Sequence, residues 1–358
     1  MAGLAGGDVS AVAWDLHKER MAVGTEDGSV QVCARETAAW ASSTDGKLHR
    51  REVATEGSAW QPLCDSWRAH GGCVRQLCWA EPSAGPLLAS CGEDGAVCIW
   101  EQEAPSRDGQ DGARFKEVAK FTPTTDPIVD VKWAPAAPGR DLALAAGSDG
   151  GYVYVFEGCS AASDEGGKGA GWWPRRWSLA HLFSPGGGLG GARGHAVTSL
   201  SWRPATDDVE PMLAVGTTAG AQVWVHHVSA LKWARSTSLA LPPGPVTALS
   251  WAAPLARRSE LLAVAVTTPP GAAVAVVGLE GESGELRATE LQRMEHDAAV
   301  DGLEWDALGL DFVACLSGGR GLVLWEHDMG GRWRRKERTV DAALLDEMHR
   351  AQEAAMVE

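Results

Sequence analysis

The sequence predicts an all-β chain built as a six-bladed β-propeller, and three observations carry that prediction. A short motif, Val/Ile-x-x-Val/Leu-x-Trp, recurs six times along the chain. Each copy is followed by two further apolar runs split by a tight turn, and then by a more polar fourth run. Tryptophan outnumbers the other aromatics, 17 against 5 Phe and 2 Tyr, and falls at repeated places in these runs.

The motif marks the first strand of each unit: Val9 to Trp14, Val74 to Trp79, Ile128 to Trp133, Val197 to Trp202, Val246 to Trp251 and Val300 to Trp305. The copies lie about 50 to 70 residues apart, a spacing that suits blade-sized units with loop insertions. Second and third strands follow in MAVGTEDGSVQVC, LLASCGEDGAVCIW, LALAAGSDGGYVYVF, MLAVGTTAGAQVWV, LLAVAVTTPPGAAVAVV and DFVACLSGGRGLVLW. Short runs rich in Val, Ile, Ala and aromatics, broken by Asp-Gly or Gly-Gly, favour hairpins over helices. The fourth strands are the mixed-charge runs CDSWRAH, FKEVAKF, RRWSLAH, KWARSTS, ATELQRM and RWRRKER. Apolar inner strands and a charged rim describe a sheet buried toward an axis, and six such sheets make the propeller. The blades fall near 7–70, 71–124, 125–183, 195–241, 243–296 and 297–340. Tryptophans at a fixed place in each blade fill the wedge between neighbours, and Trp40, Trp60, Trp172 and Trp173 lie outside that pattern.

Composition excludes several classes. The chain has 358 residues, 45% of them apolar, enough for a large core, yet no run approaches the roughly 18 apolar residues of a membrane span. A soluble chain is expected, and MAGLAGGDVS lacks the basic and apolar regions of a secretory signal. A net charge of −15 repels phosphate backbones, so direct nucleic-acid binding is not expected. The cysteines at 33, 64, 73, 78, 91, 98, 159 and 315 show no paired CxxC spacing and read as reduced, buried thiols.

Blade two carries a polar set: His70 before its first strand, Ser90 in the second, Asp94 in the turn and Trp100 in the third. These four residues form a structural hydrogen-bond chain on this reading. A catalytic triad is disfavoured, since the acid sits in a hairpin turn and no nucleophile elbow or oxyanion loop is visible. His195 and His296 take comparable pre-strand places, while blades three and five have Asp126 and Gly244 near that point. No convergent acid–base or metal set is present, so no catalytic residue, metal or cofactor is expected.

Residues 160–171 and 184–194 read as flexible Gly-rich insertions; the second lacks the Gly-Lys-Ser/Thr ending of a phosphate loop. The stretch from Arg35 to Trp60 reads as a long connection inside blade one, and 341–358 as a C-terminal tail of helix-forming composition. Gly331 to Arg338 is the one basic cluster, read as a solvated rim strand with anion or membrane contact as the alternative. His226-His227 reads as a loop pair rather than a metal site, having no third ligand nearby in sequence.

His before the first strand, Asp in the turn and Trp ending the third resemble WD repeats. Blade two sharpens the resemblance: His70, Gly72, Val74, Trp79, Ala80, Pro82, Gly85, Leu88, Ala89, Ser90, Cys91, Asp94, Trp100 and Glu101 follow the pattern of the Seh-type nucleoporins and the related Sec-thirteen coat proteins. Ser201-Trp202-x-Pro204 and Pro211-Met212-x-Ala214-Val215-Gly216 favour the Seh-type branch. Val131-Lys132-Trp133-Ala134-Pro135 and Ser148-Asp149-Gly150 agree, and Trp14-Asp15-x-His17 with Arg20-Met21-Ala22 fits either branch. The resemblance covers roughly residues 7–338, with departures in the Pro-Pro-Gly turn of blade five and the Gly-Gly-Arg turn of blade six.

An open ring is expected on separate grounds. The chain opens at Val9 with a first-type strand and has almost nothing upstream to lend to the last blade, which leaves blade faces uncovered between blades one and six. The resemblance implies that a helical scaffold nucleoporin fills this gap with a β-blade of its own. The expected partner surface is Val9, Val12 and Trp14 on blade one with Val300, Leu303 and Trp305 on blade six. The implied role is a scaffold of the Y-shaped nuclear pore subcomplex, among other nucleoporins at the nuclear envelope, with a second place in a nutrient-sensing coat-like complex at lysosomes or vacuoles. A vesicle-coat subunit of the Sec-thirteen type and a WD peptide receptor are the rivals, and an enzyme ranks third.

Overall fold

The structure, a computed structural model, describes residues 7–35, 40–42, 48–50, 60–103, 114–137, 140–159, 176–186, 194–204, 210–254, 259–281, 285–306, 308–317 and 321–336. It is all-β, a six-bladed β-propeller whose six sheets follow one another along the chain, each ordered from first strand to last. The chain forms two compact units, residues 5–207 and residues 208–358 with the first four residues. The first unit holds blades one to three and the strand Val197–Trp202. The second holds Met212–Thr217, Gly220–His227 and Lys232–Ser238 of blade four, then blades five and six.

The spacing of the recurring motif has a structural cause. Side chains alternate across a strand, so the fourth and sixth motif residues share a face and the first should point the other way. A one-residue bulge corrects this. Register shifts between Val9 and Ala11, Val74 and Gln76, Ile128 and Asp130, Val246 and Ala248, and Val300 and Gly302. Each bulge returns the first residue to the face of the fourth and sixth.

The core lies between blades. One cluster joins Ala11, Ala22, Val30 and Val32 of blade one to Val74, Leu77 and Trp79 of blade two. A second joins Leu87, Ala89, Cys91, Val97 and Ile99 of blade two to Ile128, Val131, Trp133 and Leu144 of blade three. In the second unit, one cluster joins blade four to blade five and another joins blade five to blade six. Close approach demands glycine in the second strand: a Cβ at Gly24 would sit 2.6 Å from Val74 Cγ1, at Gly147 2.4 Å from Val197 Cγ1, and at Gly216 2.7 Å from Val246 Cγ1.

Blade one departs from the expected single fourth strand. Its outer strand is split into Trp60–Pro62 and Trp67–Arg68, both paired with Ser29–Arg35. Leu63 N–H still donates to Val32 O, but the next ladder pair is Val30 with Trp67, so Cys64 to Ser66 loop out opposite Gln31. The connection from Arg35 to Trp60 carries a two-stranded ladder of its own, Trp40–Ser42 with Leu48–Arg50. The Pro-Pro-Gly turn of blade five holds a cis bond between Pro269 and Pro270. The insertion at 160–171, most of that at 184–194, the tail at 341–358, Trp172, Trp173 and Cys159's side chain lie outside the described residues.

Candidate protein interface

The first strands of the blades share one sequence pattern but not one environment. In blades two to five the first, fourth and sixth motif residues are all buried. In blade one the same three are the exposed ones: Val9 is 53% exposed, Val12 44% and Trp14 42%, against 8% for Trp79. Leu16, in the turn that follows, is exposed as well. Valines and a tryptophan in buried positions each contribute on the order of 1.5–3 kcal/mol through the water they exclude, and blade one leaves that contribution unrealised.

The tryptophans show which side of each blade this is. The Trp79 indole N–H donates to Ala13 O at 3.3 Å, Trp133 to Cys78 O at 3.0 Å, Trp202 to Lys132 O at 3.0 Å and Trp305 to Ser250 O at 2.8 Å. Each acceptor is the fifth motif residue of the preceding blade, so the motif tryptophan reaches backward along the chain. Trp251 donates instead to the Glu260 carboxylate at 3.2 Å. Trp14 is exposed instead, and among the described residues its indole N–H has no hydrogen-bond partner.

That polarity corrects the expectation for blade six. Val300 is fully buried, and Leu303 and Trp305 pack into the cluster shared with blade five. The Thr247 hydroxyl donates to Val300 O at 2.5 Å, as Ser10 donates to Val74 O at 2.7 Å in the first unit. First-strand residues face backward, so these three are spent on blade five. The forward face of blade six is marked instead by Leu322, 67% exposed. Its counterparts by register are Val30, Val97, Val153, Ala221 and Val274, all buried. Sequence reading missed Leu322, although aligning the first apolar residue of each third strand would have found it.

The structure brings His70, Ser90, Asp94 and Trp100 together. His70 Nδ1 lies 3.0 Å from Asp94 Oδ1, and His70 Nε2 lies 2.8 Å from Ser90 Oγ. The Trp100 indole N–H donates to Ser90 Oγ at 2.9 Å, so the hydroxyl donates to His70 Nε2 and Nδ1–H donates to Asp94. Asp94 also accepts from Gly71 N–H at 2.8 Å and Ala96 N–H at 3.1 Å, which ties the hairpin turn to the approach to the first strand. Burial pushes His70 below its ordinary pKa, against the pull of the Asp94 carboxylate. Burial would raise Asp94, but the Gly71 and His70 hydrogen bonds outweigh it and hold the carboxyl low. A neutral imidazole with both nitrogens engaged and a hydroxyl already donating is a structural brace.

The comparable places named from sequence differ. His296 is buried four residues before its strand, as His70 is, whereas His195 is exposed and only two residues before its own. Asp126 accepts from the Thr124 hydroxyl at 3.5 Å, and Gly244 has φ +152°.

Among the described residues no group of three His, Cys, Asp or Glu could hold a metal, and no helix is long and apolar enough to cross a membrane. His227 Nδ1 lies 3.0 Å from Glu210 and His226 stacks on Trp233. Cys33, Cys91 and Cys98 are free and buried, while Cys64, Cys73, Cys78 and Cys315 are only partly covered. Burial pushes the Cys98 thiol up to about 12. In the basic segment, Arg334 pairs with Asp328 at 2.6 Å and Lys336 pairs with Glu326.

The family "WD domain, G-beta repeat" matches residues 61–101, the span that holds the His70 brace. The chain is similar to Nucleoporin SEH1-A of Xenopus laevis, 26% identical over 339 residues, covering 90% of this chain and 82% of that one. It is equally similar to Nucleoporin SEH1 of Homo sapiens, 26% identical over 344 residues with the same coverage. Among solved structures, the β-propeller domain of Cps50 (Swd1) from Myceliophteria thermophila matches with a TM-score of 0.57 and 14% identity, covering 93% of this chain and 87% of that one. The resemblance to Seh-type WD-repeat nucleoporins is borne out.

Proposed function

We propose, from the similarity to Seh-type nucleoporins, that this chain is a non-enzymatic scaffold of the nuclear pore complex, held in the Y-shaped subcomplex by a helical nucleoporin that supplies a β-blade. The observation that carries this reading is the exposure of Val9, Val12 and Trp14 at positions that every blade from two to five buries. An apolar sheet face of this kind is poorly tolerated by water and suits a permanent partner. Leu322 offers a second uncovered position, on the forward face of the last blade. The inserted blade would cover the Val9, Val12 and Trp14 face. The same surface would serve the helical subunit of a nutrient-sensing coat-like complex at lysosomes or vacuoles.

The test is co-expression of the full chain with the helical scaffold nucleoporin of its own subcomplex. Val9→Asp with Val12→Asp should abolish co-purification while leaving the exposed strand's own sheet folded, as read by circular dichroism. Undiminished capture would refute blade insertion. Capture instead by the elongated α-solenoid subunit of a vesicle coat would favour the Sec-thirteen role, and loss on mutation of channel-rim loops alone would favour a peptide receptor.

A further inference from the structure

The motif tryptophans hold a common pose as well as a common hydrogen bond. Trp79 meets Phe115 edge-on with centroids 5.9 Å apart at 68°, Trp133 meets Trp177 at 5.5 Å and 63°, and Trp305 meets Trp333 at 6.1 Å and 75°. In each case the second ring belongs to the fourth strand of the same blade. Trp14 meets Trp60, on the outer strand of blade one, at 4.8 Å and 65°. Its ring is therefore set as the others are, and what it lacks is the carbonyl in front of it.

The side-chain fit repeats too. The first motif residue of a blade enters the space beside a small residue in the second strand of the blade before: Val74 at Gly24, Val197 at Gly147 and Val246 at Gly216. By register the same place is held by Cys91 in blade two and Ala265 in blade five, in the clusters that hold Ile128 and Val300. Glycine, alanine or cysteine fills it in all five cases, so the receiving strand must be small there.

We infer that the incoming blade docks in this chain's own internal register: its innermost strand presents a backbone carbonyl to the Trp14 indole N–H, and its second strand presents Gly, Ala or Cys to Val9. This rests on the reading of an inserted blade and specifies the partner's chemistry at that face. The recognised element is a β-hairpin whose second strand carries a small residue opposite the bulge of its first.

The experiment uses the full chain and the helical scaffold nucleoporin of its subcomplex, produced recombinantly, with affinity measured by calorimetry. Trp14→Phe keeps the ring and removes the donor; one net hydrogen bond corresponds to a loss of about 3- to 10-fold in affinity. Trp79→Phe, which removes an internal donor, should leave the affinity unchanged. Val9→Phe is accommodated by the free chain because the site is exposed, and should lower the affinity at least about 10-fold by overfilling the small-residue slot. Unchanged affinity for Trp14→Phe and Val9→Phe, with Val12→Asp still abolishing binding, overturns the register alone. Retained binding by Val12→Asp overturns the inserted blade itself. Should Trp14→Phe unfold, indole exchange in the wild-type complex decides: a Trp14 N–H protected on binding supports the assignment, and one that exchanges as in the free chain overturns it.

Discussion

His296 lies edge-on to Trp325 with ring centroids 5.6 Å apart, and each ring buries a nitrogen, His296 Nε2 and Trp325 Nε1, that has no hydrogen-bond partner among the described residues. The pair reproduces His70 and Trp100 of blade two without the hydroxyl that joins them. By register the place of Ser90 belongs to Ala314, since Leu77 faces Ser90 and Leu303 faces Ala314.

Ala314→Ser should therefore stabilise the chain. A serine hydroxyl at this place would accept from Trp325 and donate to His296, each bond contributing about 1 kcal/mol net. The midpoint of thermal unfolding should rise by about 2 °C or more. A fall would mean that the fully buried site has no room for the oxygen.

Ser90→Ala is the reverse experiment. It leaves the Trp100 indole N–H and His70 Nε2 buried without partners, a state that costs about 1–3 kcal/mol per group. A destabilisation of about 2–4 kcal/mol in denaturant titrations is expected, and a loss below about 0.5 kcal/mol would show that the brace is dispensable.

Acid should weaken the fold through the same residues. His70 and His296 are both held below the ordinary histidine pKa, chiefly by burial, with Lys120 adding to the effect at His70 and Arg335 at His296. A depressed histidine makes its full contribution above its unfolded pKa and loses it as pH falls through that value toward the folded one. Asp94, also depressed, loses its contribution at still lower pH, below the ordinary carboxylate value. The unfolding midpoint should drop between about pH 7.5 and about pH 5, and His70→Gln should flatten part of that slope. A midpoint that rises on acidification would contradict the neutral assignment.

Gly147→Ala should cost about 1–3 kcal/mol, because its Cβ would stand 2.4 Å from Val197 Cγ1 in a packed contact between blades. Gly220→Ala, where nothing lies within 4 Å, tests backbone strain alone at φ +140°. Chemical denaturation separates the two, and equal losses would mean that crowding at Gly147 is relieved by relaxation.

Much of the fold is legible because the motif is a physical pattern. Trp79, Trp133, Trp202 and Trp251 bury where the repeat places them, and Val74 or Val246 returns to the core through a bulge that the x-x spacing encodes. His70, Ser90, Asp94 and Trp100 could be linked in advance because donor and acceptor counts match in one hairpin. What the sequence hides is direction. Val300 and Val9 look identical in a repeat alignment, yet Val300 packs on blade five and Val9 is exposed, so only packing separates spent faces from free ones. The split outer strand at Cys64 to Ser66 was equally hidden, since Trp67 alone reads as a continuous rim.

The central claim is that the Val9, Val12 and Trp14 face is covered by a partner's blade. Hydroxyl-radical footprinting of Trp14, read by mass spectrometry in the free chain and in the complex with the helical scaffold nucleoporin, tests it most directly. Trp14 oxidation should fall several-fold on complex formation, toward the level of buried Trp79. Equal oxidation of Trp14 in both states, with the partner demonstrably bound, would place the contact elsewhere on the molecule and contradict the account.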